Sequence, residues 1–297
     1  MLAAWTASSR RACEPPTVVV PADSTGRSQI RLPLSGPCRG RGAGVEGKDV
    51  GAKAFGLDIG GSGIKGAVVD LGTGRLVGDR YRLPTPLPAC PAAVAETAAA
   101  VVSELGWSGQ IGCTFPGVVR SGVACSAANV DPEWVGTNIE TVIGAATGLA
   151  VVAVNDADAA GMAEAAFGAA AGHAGLVVVT TLGTGIGSAL LYGGVLIPNS
   201  ELGHLEIDGA DAELRASVAA RDREDLSWQR WAKRLQRYFE TVESLLWPDL
   251  FVVGGGVSRK ADRFLPLLSL RTPIVPAALR NEAGIVGAGL LAAGRPR

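Results

Sequence analysis

Three glycine-rich turns each follow an apolar, strand-like run: Gly60-Gly61-Ser62-Gly63, Gly183-Thr184-Gly185 with Gly187, and Gly254-Gly255-Gly256, about 120 and 70 residues apart. Glycine lets backbone N–H groups turn inward and lets a phosphate approach with no Cβ in the way. Any one of these turns reads equally well as an ordinary hairpin or strand-to-helix turn; three in one chain point to a site for a phosphorylated ligand. An acid, Asp58, stands just ahead of the first turn, and Lys65 just after it. Asn155 and Asp156 close the buried run "AVVAV", at the C-terminal strand end where open α/β sheets place ligands. Asn and Asp also favour helix N-caps. We give that structural role to Asp158 and a chemical one to Asp156. In "NSELGHLEI", Glu201 and His204 pair an acid with an imidazole, a combination that holds two hydroxyls with directional hydrogen bonds. His173 falls in a turn and reads as a loop residue.

The elements that position these residues follow from periodicity and punctuation. "AFGLDIGG" is a strand entering a glycine turn, and "IKGAVVDLGTGRLVGDRYRL" gives two more strands around Gly72-Thr73-Gly74. Pro91 to Leu105 is helical with proline in its first turn. "NIETVIGAATG" is a helix closed by Gly148, and an Ala-rich helix follows Asp156. "GLVVVTTLGTGIGSALLYGGVLI" is strand, glycine turn, strand; "DLFVVGGGVS" is strand and turn; "AGIVGAGLLAAG" is a small-residue C-terminal helix. Strands mixed with helices of ten to fifteen residues imply an α/β protein with partly parallel sheets.

Composition narrows the partners. The chain has 297 residues, 47% of them apolar, enough for two domains. The net charge is −1, with 22 arginines and 5 lysines, and gives no reason to expect nucleic acid or an anionic membrane surface. Five cysteines, none in a CxxC pair and none beyond Cys125, argue against a disulfide framework and for a reducing, cytoplasmic setting. The most apolar region, Leu149 to Val179, is interrupted by charged and polar residues and does not read as a membrane span. The first 52 residues, rich in Arg, Gly, Ser and Pro, read as a disordered extension rather than a functional arm.

The ordered motifs LDIGGSGIKG, VNDADAA, TLGTGIGSAL, ELGH and VVGGGVS resemble the ROK family of sugar kinases, in the actin-like ATPase superfamily. The resemblance runs from about Phe55 to the C-terminus. "ANVDPEWVGTNI", "NSELGHLEI" and the stretch from "DLSWQRW" to "VSRKAD" resemble its polyphosphate-using glucokinase subgroup. It implies a two-domain actin-like (ribonuclease H-like) fold with an interdomain cleft. Residues 53–155 would form a small α/β domain and 156–282 a large one, with a last helix over 283–297 returning to the first. Glucose would bind in the cleft, and closure would exclude water.

The resemblance also assigns roles. Asp156 becomes the catalytic base that takes the proton of the attacking hydroxyl, and Asn155, Glu201 and His204 bind the sugar. Gly60, Gly61, Ser62, Gly63, Gly183, Thr184, Gly185, Gly254, Gly255 and Gly256 bind phosphate. Asp58 positions Mg²⁺ through water. Lys65 either neutralises phosphate or is an exposed strand lysine. Most of the family follows the histidine with CxCGxxGC, whose cysteines share a zinc with it; this chain lacks that cluster, so no zinc is expected. Glu206, two residues along from His204, is the candidate replacement for the acid that ends the cluster.

The donor expected from the subgroup is polyphosphate, with ATP left open beside it. Arg230, Lys233, Arg234 and Arg237 share one helical face and are either a polyphosphate track or solvated surface. The alternatives are an ATP-dependent hexokinase acting on glucose, mannose or another hexose, a sugar-responsive regulator, and an actin-like structural ATPase. No N-terminal helix pair supports the regulator, and the sugar-binding motifs oppose the structural ATPase. A homodimer is expected from the resemblance.

Overall fold

The computed structural model describes residues 52–294; the expected extension over residues 1–52 falls almost wholly outside them, as does the end of the last helix. The first half runs β1 (Lys53–Gly60), β2 (Gly63–Asp70), β3 (Leu76–Leu83), α1 (Pro91–Glu104), β4 (Ile111–Phe115), α2 (Ile139–Thr147) and β5 (Val151–Asn155). The second runs α3 (Asp156–Phe167), β6 (Leu176–Leu182), β7 (Ile186–Tyr192), β8 (Val195–Ile197), α4 (Ala212–Ala216), α5 (Val218–Arg223), α6 (Trp228–Leu246), β9 (Leu250–Gly254), β10 (Ile274–Pro276) and α7 (Ala283–Ala292).

The two halves have one topology. The first sheet has the order β3-β2-β1-β4-β5 and the second β8-β7-β6-β9-β10. In each, the first three strands are antiparallel neighbours and the last two join in parallel. The helices then cross over. α3, which follows the last strand of the first sheet, packs on β6 and β7; α7, which follows the last strand of the second, packs on β1, β2 and β4, and the two helices pack against each other. Alternation along β6 shows the layering. Val178 joins the α6 residues Leu235, Tyr238, Phe239 and Val242, whereas Val177 and Val179 join Ala159 and Met162 of α3.

Close approach explains the small residues of the C-terminal helix. A Cβ on Gly56 of β1 would strike the carbonyl oxygen of Ile285, and one on Gly112 of β4 that of Ala288. α7 therefore lies almost on the backbone of the first sheet, as only glycine in the strands permits. α6 is the amphipathic opposite. Ser227 caps it by accepting from Arg230 N–H, and its buried residues Trp231, Leu235, Tyr238, Phe239 and Val242 recur every three to four positions. α2 ends at Gly148 with φ +70°.

Candidate functional site

The first-half acid sits in a fixed cradle. Asp58 lies in β1 directly opposite Lys65 of β2. Lys65 Nζ donates to its Oδ2 at 2.7 Å and Thr114 Oγ of the neighbouring strand to its Oδ1 at 2.8 Å. Gly284, in the first turn of α7, faces the same carboxylate, so the positive end of that helix adds to the cradle. Lys65 is thus neither a free strand lysine nor an unpaired cation.

Asp156 opens α3. The cap of this helix is Asn155, whose Oδ1 accepts from the N–H groups of Ala157 (2.8 Å) and Asp158 (3.0 Å) while its Nδ2 donates to the carbonyl of Gly117 (3.0 Å). This corrects one expectation and narrows another, since Asn155 also lines the larger cavity of the cleft. Asp158 is not the cap; it is buried and accepts from the backbone N–H of Asn199 at 2.7 Å. Asn155 is largely committed to structure, with one Nδ2 hydrogen left for a ligand. Asp156 itself is half-buried. Burial, with the negative charges of Asp58 and Glu201, pushes its carboxyl up to about 7.

Two adjoining cavities share Asp156. The larger, about 570 Å³, lies between the two glycine hairpins and takes in Gly60, Gly61, Gly183, Thr184, Gly185, Glu201 and His204. The inner one, about 200 Å³, takes in Asp58, Lys65, Gly254 and Arg280. Gly255, Gly256 and Thr181 line both. Ser62 and Gly63 line neither, and point instead toward Arg82, whose guanidinium donates to the Ser62 carbonyl at 2.6 Å.

Glu201 and His204 flank a single helical turn, Leu202–His204. Ser188 of β7 holds it: its Oγ accepts from Leu202 N–H at 2.9 Å and contacts Ser200. His204 Nδ1 lies 2.8 Å from Asp211 Oδ2, and its Nε2 lies 4.0 Å from Glu201. The bond to Asp211 raises the imidazole's pKa, and burial raises that of Glu201. Glu206 is exposed and lines neither cavity. Beside Asp211, the fold brings Glu213 to His204 and to the larger cavity; its Oε2 accepts from Ile186 N–H at 3.1 Å. Ligand atoms of His204, Asp211 and Glu213 lie within 4.8 Å of one another.

The basic face of α6 does not reach these cavities. Arg234 is paired with Glu224 and Arg237 with Asp208, and the stripe shares no lining residue with either cavity. Glu213 and Arg280 carry no signal in the sequence; neither adjoins a glycine turn, and only the fold brings them to the cleft.

Residues 54–218 match the model of the ROK family, and the chain belongs to that family. Among its relatives, the polyphosphate glucokinase of Mycobacterium tuberculosis is 56% identical over 237 residues, which are 80% of this chain and 89% of that protein. That of Mycobacterium leprae is 54% identical over 239 residues, 80% of this chain and 74% of that protein. Among solved structures, the inorganic polyphosphate/ATP-glucomannokinase of Arthrobacter sp. strain KM superposes with a TM-score of 0.80 at 56% identity, covering 82% of this chain and all of that one. The duplicated sheets and crossed helices are thus those of a ROK sugar kinase. Among the described residues no helix is long and apolar enough to cross a membrane.

Proposed function

We propose that this chain is a glucokinase that transfers a phosphoryl group from inorganic polyphosphate to the 6-hydroxyl of glucose. The observation that carries this reading is Asp156. One carboxylate faces both a hydroxyl-binding cavity and a glycine-lined inner one, with its proton affinity tuned near neutrality. A base with a pKa close to the working pH combines availability with driving force.

In this reading the hexose occupies the larger cavity. Glu201 accepts from a sugar hydroxyl, and His204 Nε2 engages a second while Asp211 fixes the ring through Nδ1. Glu213 takes the acid's place beside His204 in preference to Glu206. Asp156 receives the proton of the 6-hydroxyl as its oxygen bonds to the terminal phosphorus. The bridging P–O bond breaks, and the polyphosphate leaves one unit shorter. Backbone N–H groups of Gly60, Gly61, Thr184, Gly185, Gly255 and Gly256 donate to phosphoryl oxygens; the Gly183 N–H is spent within its own turn on the Gly185 carbonyl, and Gly254 closes the inner wall.

Mg²⁺ fits this site. Asp58 and Asp156 oppose each other electrostatically, and a divalent cation between donor and carboxylates relieves that repulsion. Asp58 would hold it through water, because Lys65 and Thr114 already occupy both its oxygens, leaving Asp156 free to take the proton. When bound, the ion shields the donor's charge. Zinc has no part in this reading, since His204 Nδ1 is taken by Asp211 and no cysteine follows Cys125. A homodimer in the cytoplasm is the assembly and setting we propose.

A second reading, in which ATP serves as donor and mannose as acceptor, is favoured by the Arthrobacter enzyme's naming as a polyphosphate/ATP-glucomannokinase. Initial rates with glucose and mannose against polyphosphate, ATP and GTP decide between them. Activity with ATP and none with polyphosphate overturns the first reading.

A further inference from the structure

The inner cavity adjoins a groove of about 980 Å³, and the two share Arg280 and Asn281 as lining residues. The groove is lined by four arginines, Arg75, Arg80, Arg259 and Arg280, against two carboxylates, Asp79 and Glu282. All four arginines are exposed. Among the described residues, none of the four guanidinium groups has a hydrogen-bonded or ion-paired partner. Elsewhere several arginines are neutralised: Arg221 with Asp222, Arg223 and Arg234 with Glu224, Arg237 with Asp208. Arg120, Arg215 and Arg230 stand without an ion pair among the described residues, but singly and not together in one groove. Converging, unpaired guanidinium groups repel one another, and a polyanion relieves that cost through bidentate contacts to phosphoryl oxygens.

The wall shared by the two spaces is built rigidly. Arg280 has φ +52°, a conformation a non-glycine residue holds only where its surroundings impose it. The two residues before it are held by Glu164 of α3, fully buried, whose carboxylate accepts from the N–H groups of Ala278 (3.1 Å) and Leu279 (2.8 Å), as well as Ala169 (2.7 Å). The segment bearing Arg280 is thereby tied to the helix that begins at Asp156, so the groove keeps a fixed register to the site of transfer.

We propose that this groove binds the distal phosphates of the polyphosphate chain, with Arg280 at the junction and Arg75, Arg80 and Arg259 holding the chain beyond it. It rests on the reading of polyphosphate as donor. The α6 face is then plain surface: two of its four cations are paired, and it does not adjoin the donor side of the cleft.

The test compares the full chain with the triple variant Arg75→Gln/Arg80→Gln/Arg259→Gln, none of which contacts the reacting groups. KM is measured for long-chain polyphosphate, tripolyphosphate, ATP and glucose. The expected result is a rise of roughly 10-fold or more in KM for the long chain, with a shallower dependence of that KM on salt because fewer counterions are released. KM for glucose and tripolyphosphate should stay within about 2-fold, too small a change in binding free energy to signal a lost ionic contact. The Arg→Lys triple variant, which keeps the charge, should recover part of the long-chain affinity, and the kept glucose KM reports that the fold survives. An unchanged long-chain KM in the Gln variant overturns the groove while leaving the donor reading intact. An equal rise for ATP assigns the groove to nucleotide and also overturns it. A wild-type chain inactive with polyphosphate removes the donor reading and the groove with it.

Discussion

The two halves share a sheet and differ in what they place at one position of it. Two residues before the end of β1, β1 and β2 face each other with Asp58 and Lys65; two residues before the end of β6, β6 and β7 face each other with Thr180 and Ser188. The first pair is an ion pair at the wall of the inner cavity. The second is a pair of hydroxyls, of which Ser188 anchors the turn bearing Glu201 and His204. The crossed helices divide in the same way. α3 enters the site with a capped N-terminus and a carboxylate, Asp156; α7 enters with no side-chain cap and receives Asp58 at its first turn instead. A duplicated scaffold supplies two equivalent corners, and they were made unequal: an ion pair in the first, hydroxyls in the second; the proposed function gives the first to the donor and the second to the acceptor.

Removing the carboxylate between the corners should have the largest effect. Asp156→Asn should lower kcat by roughly 10²-fold or more, the usual scale for loss of a general base. The same variant should be more stable at pH 8. Asp156 binds its proton more tightly folded, near 7, than unfolded, near 3.8. Rising pH therefore removes stability from about 4 up to about 7, and above that the loss is complete. The amide escapes it, and the melting temperature should rise by about 2–4 °C per kcal/mol relieved. Near-normal kcat in a folded variant would make Asp156 a mere first-turn residue.

The pH profile follows with the opposite sign for catalysis. In the free enzyme kcat/KM for glucose should rise as Asp156 ionises, with an apparent pKa near 7, and the acid limb should disappear from the residual activity of Asp156→Asn. A limb that survives the substitution belongs to another group.

The corners can then be separated. Lys65→Gln should raise KM for donor by roughly 10-fold while leaving KM for glucose nearly unchanged, as expected for loss of one charge-assisted contact. Ser188→Ala should do the reverse and more weakly, raising KM for glucose a few-fold, as for a neutral hydrogen bond. Both variants shifting both constants alike would dissolve the division between the halves. The smallest effect belongs to the α6 face: Arg234→Gln/Arg237→Gln should leave all kinetic constants within about 2-fold, the pairs there being exposed. Elemental analysis of the purified protein should find less than stoichiometric zinc; one zinc per chain would reassign His204, Asp211 and Glu213 as its ligands.

Much of the site was legible because its signals are local. Asp156 directly follows the last residue of a buried strand, the position where α/β sheets place their ligands, and that run is visible in the sequence. The glycine turns announced backbone approach, although Ser62 and Gly63 turned away, since which side of a hairpin faces the cleft depends on the opposite wall. Capping was misassigned by three residues: Asn155 and Asp158 have equal intrinsic claim to a cap, and only the strand end, which leaves Asn155 outside the helix, separates them. Glu206 and Glu213 are the same chemical group, and the turn Asp208–Gly209 between their segments decides that the second comes back to His204.

The sequence by itself determined the elements, the glycine turns, the carboxylate at the strand end and the family, because each rests on neighbours along the chain or on motif order. Tertiary structure alone decided the duplication of the sheets, the crossing of α3 and α7, and which cations are free. An arginine's availability depends on carboxylates brought within a few ångströms from distant segments. Arg234 and Arg237 lost theirs to Glu224 and Asp208, while Arg75, Arg80, Arg259 and Arg280, scattered over some two hundred residues, met in one groove with no partner among the described residues.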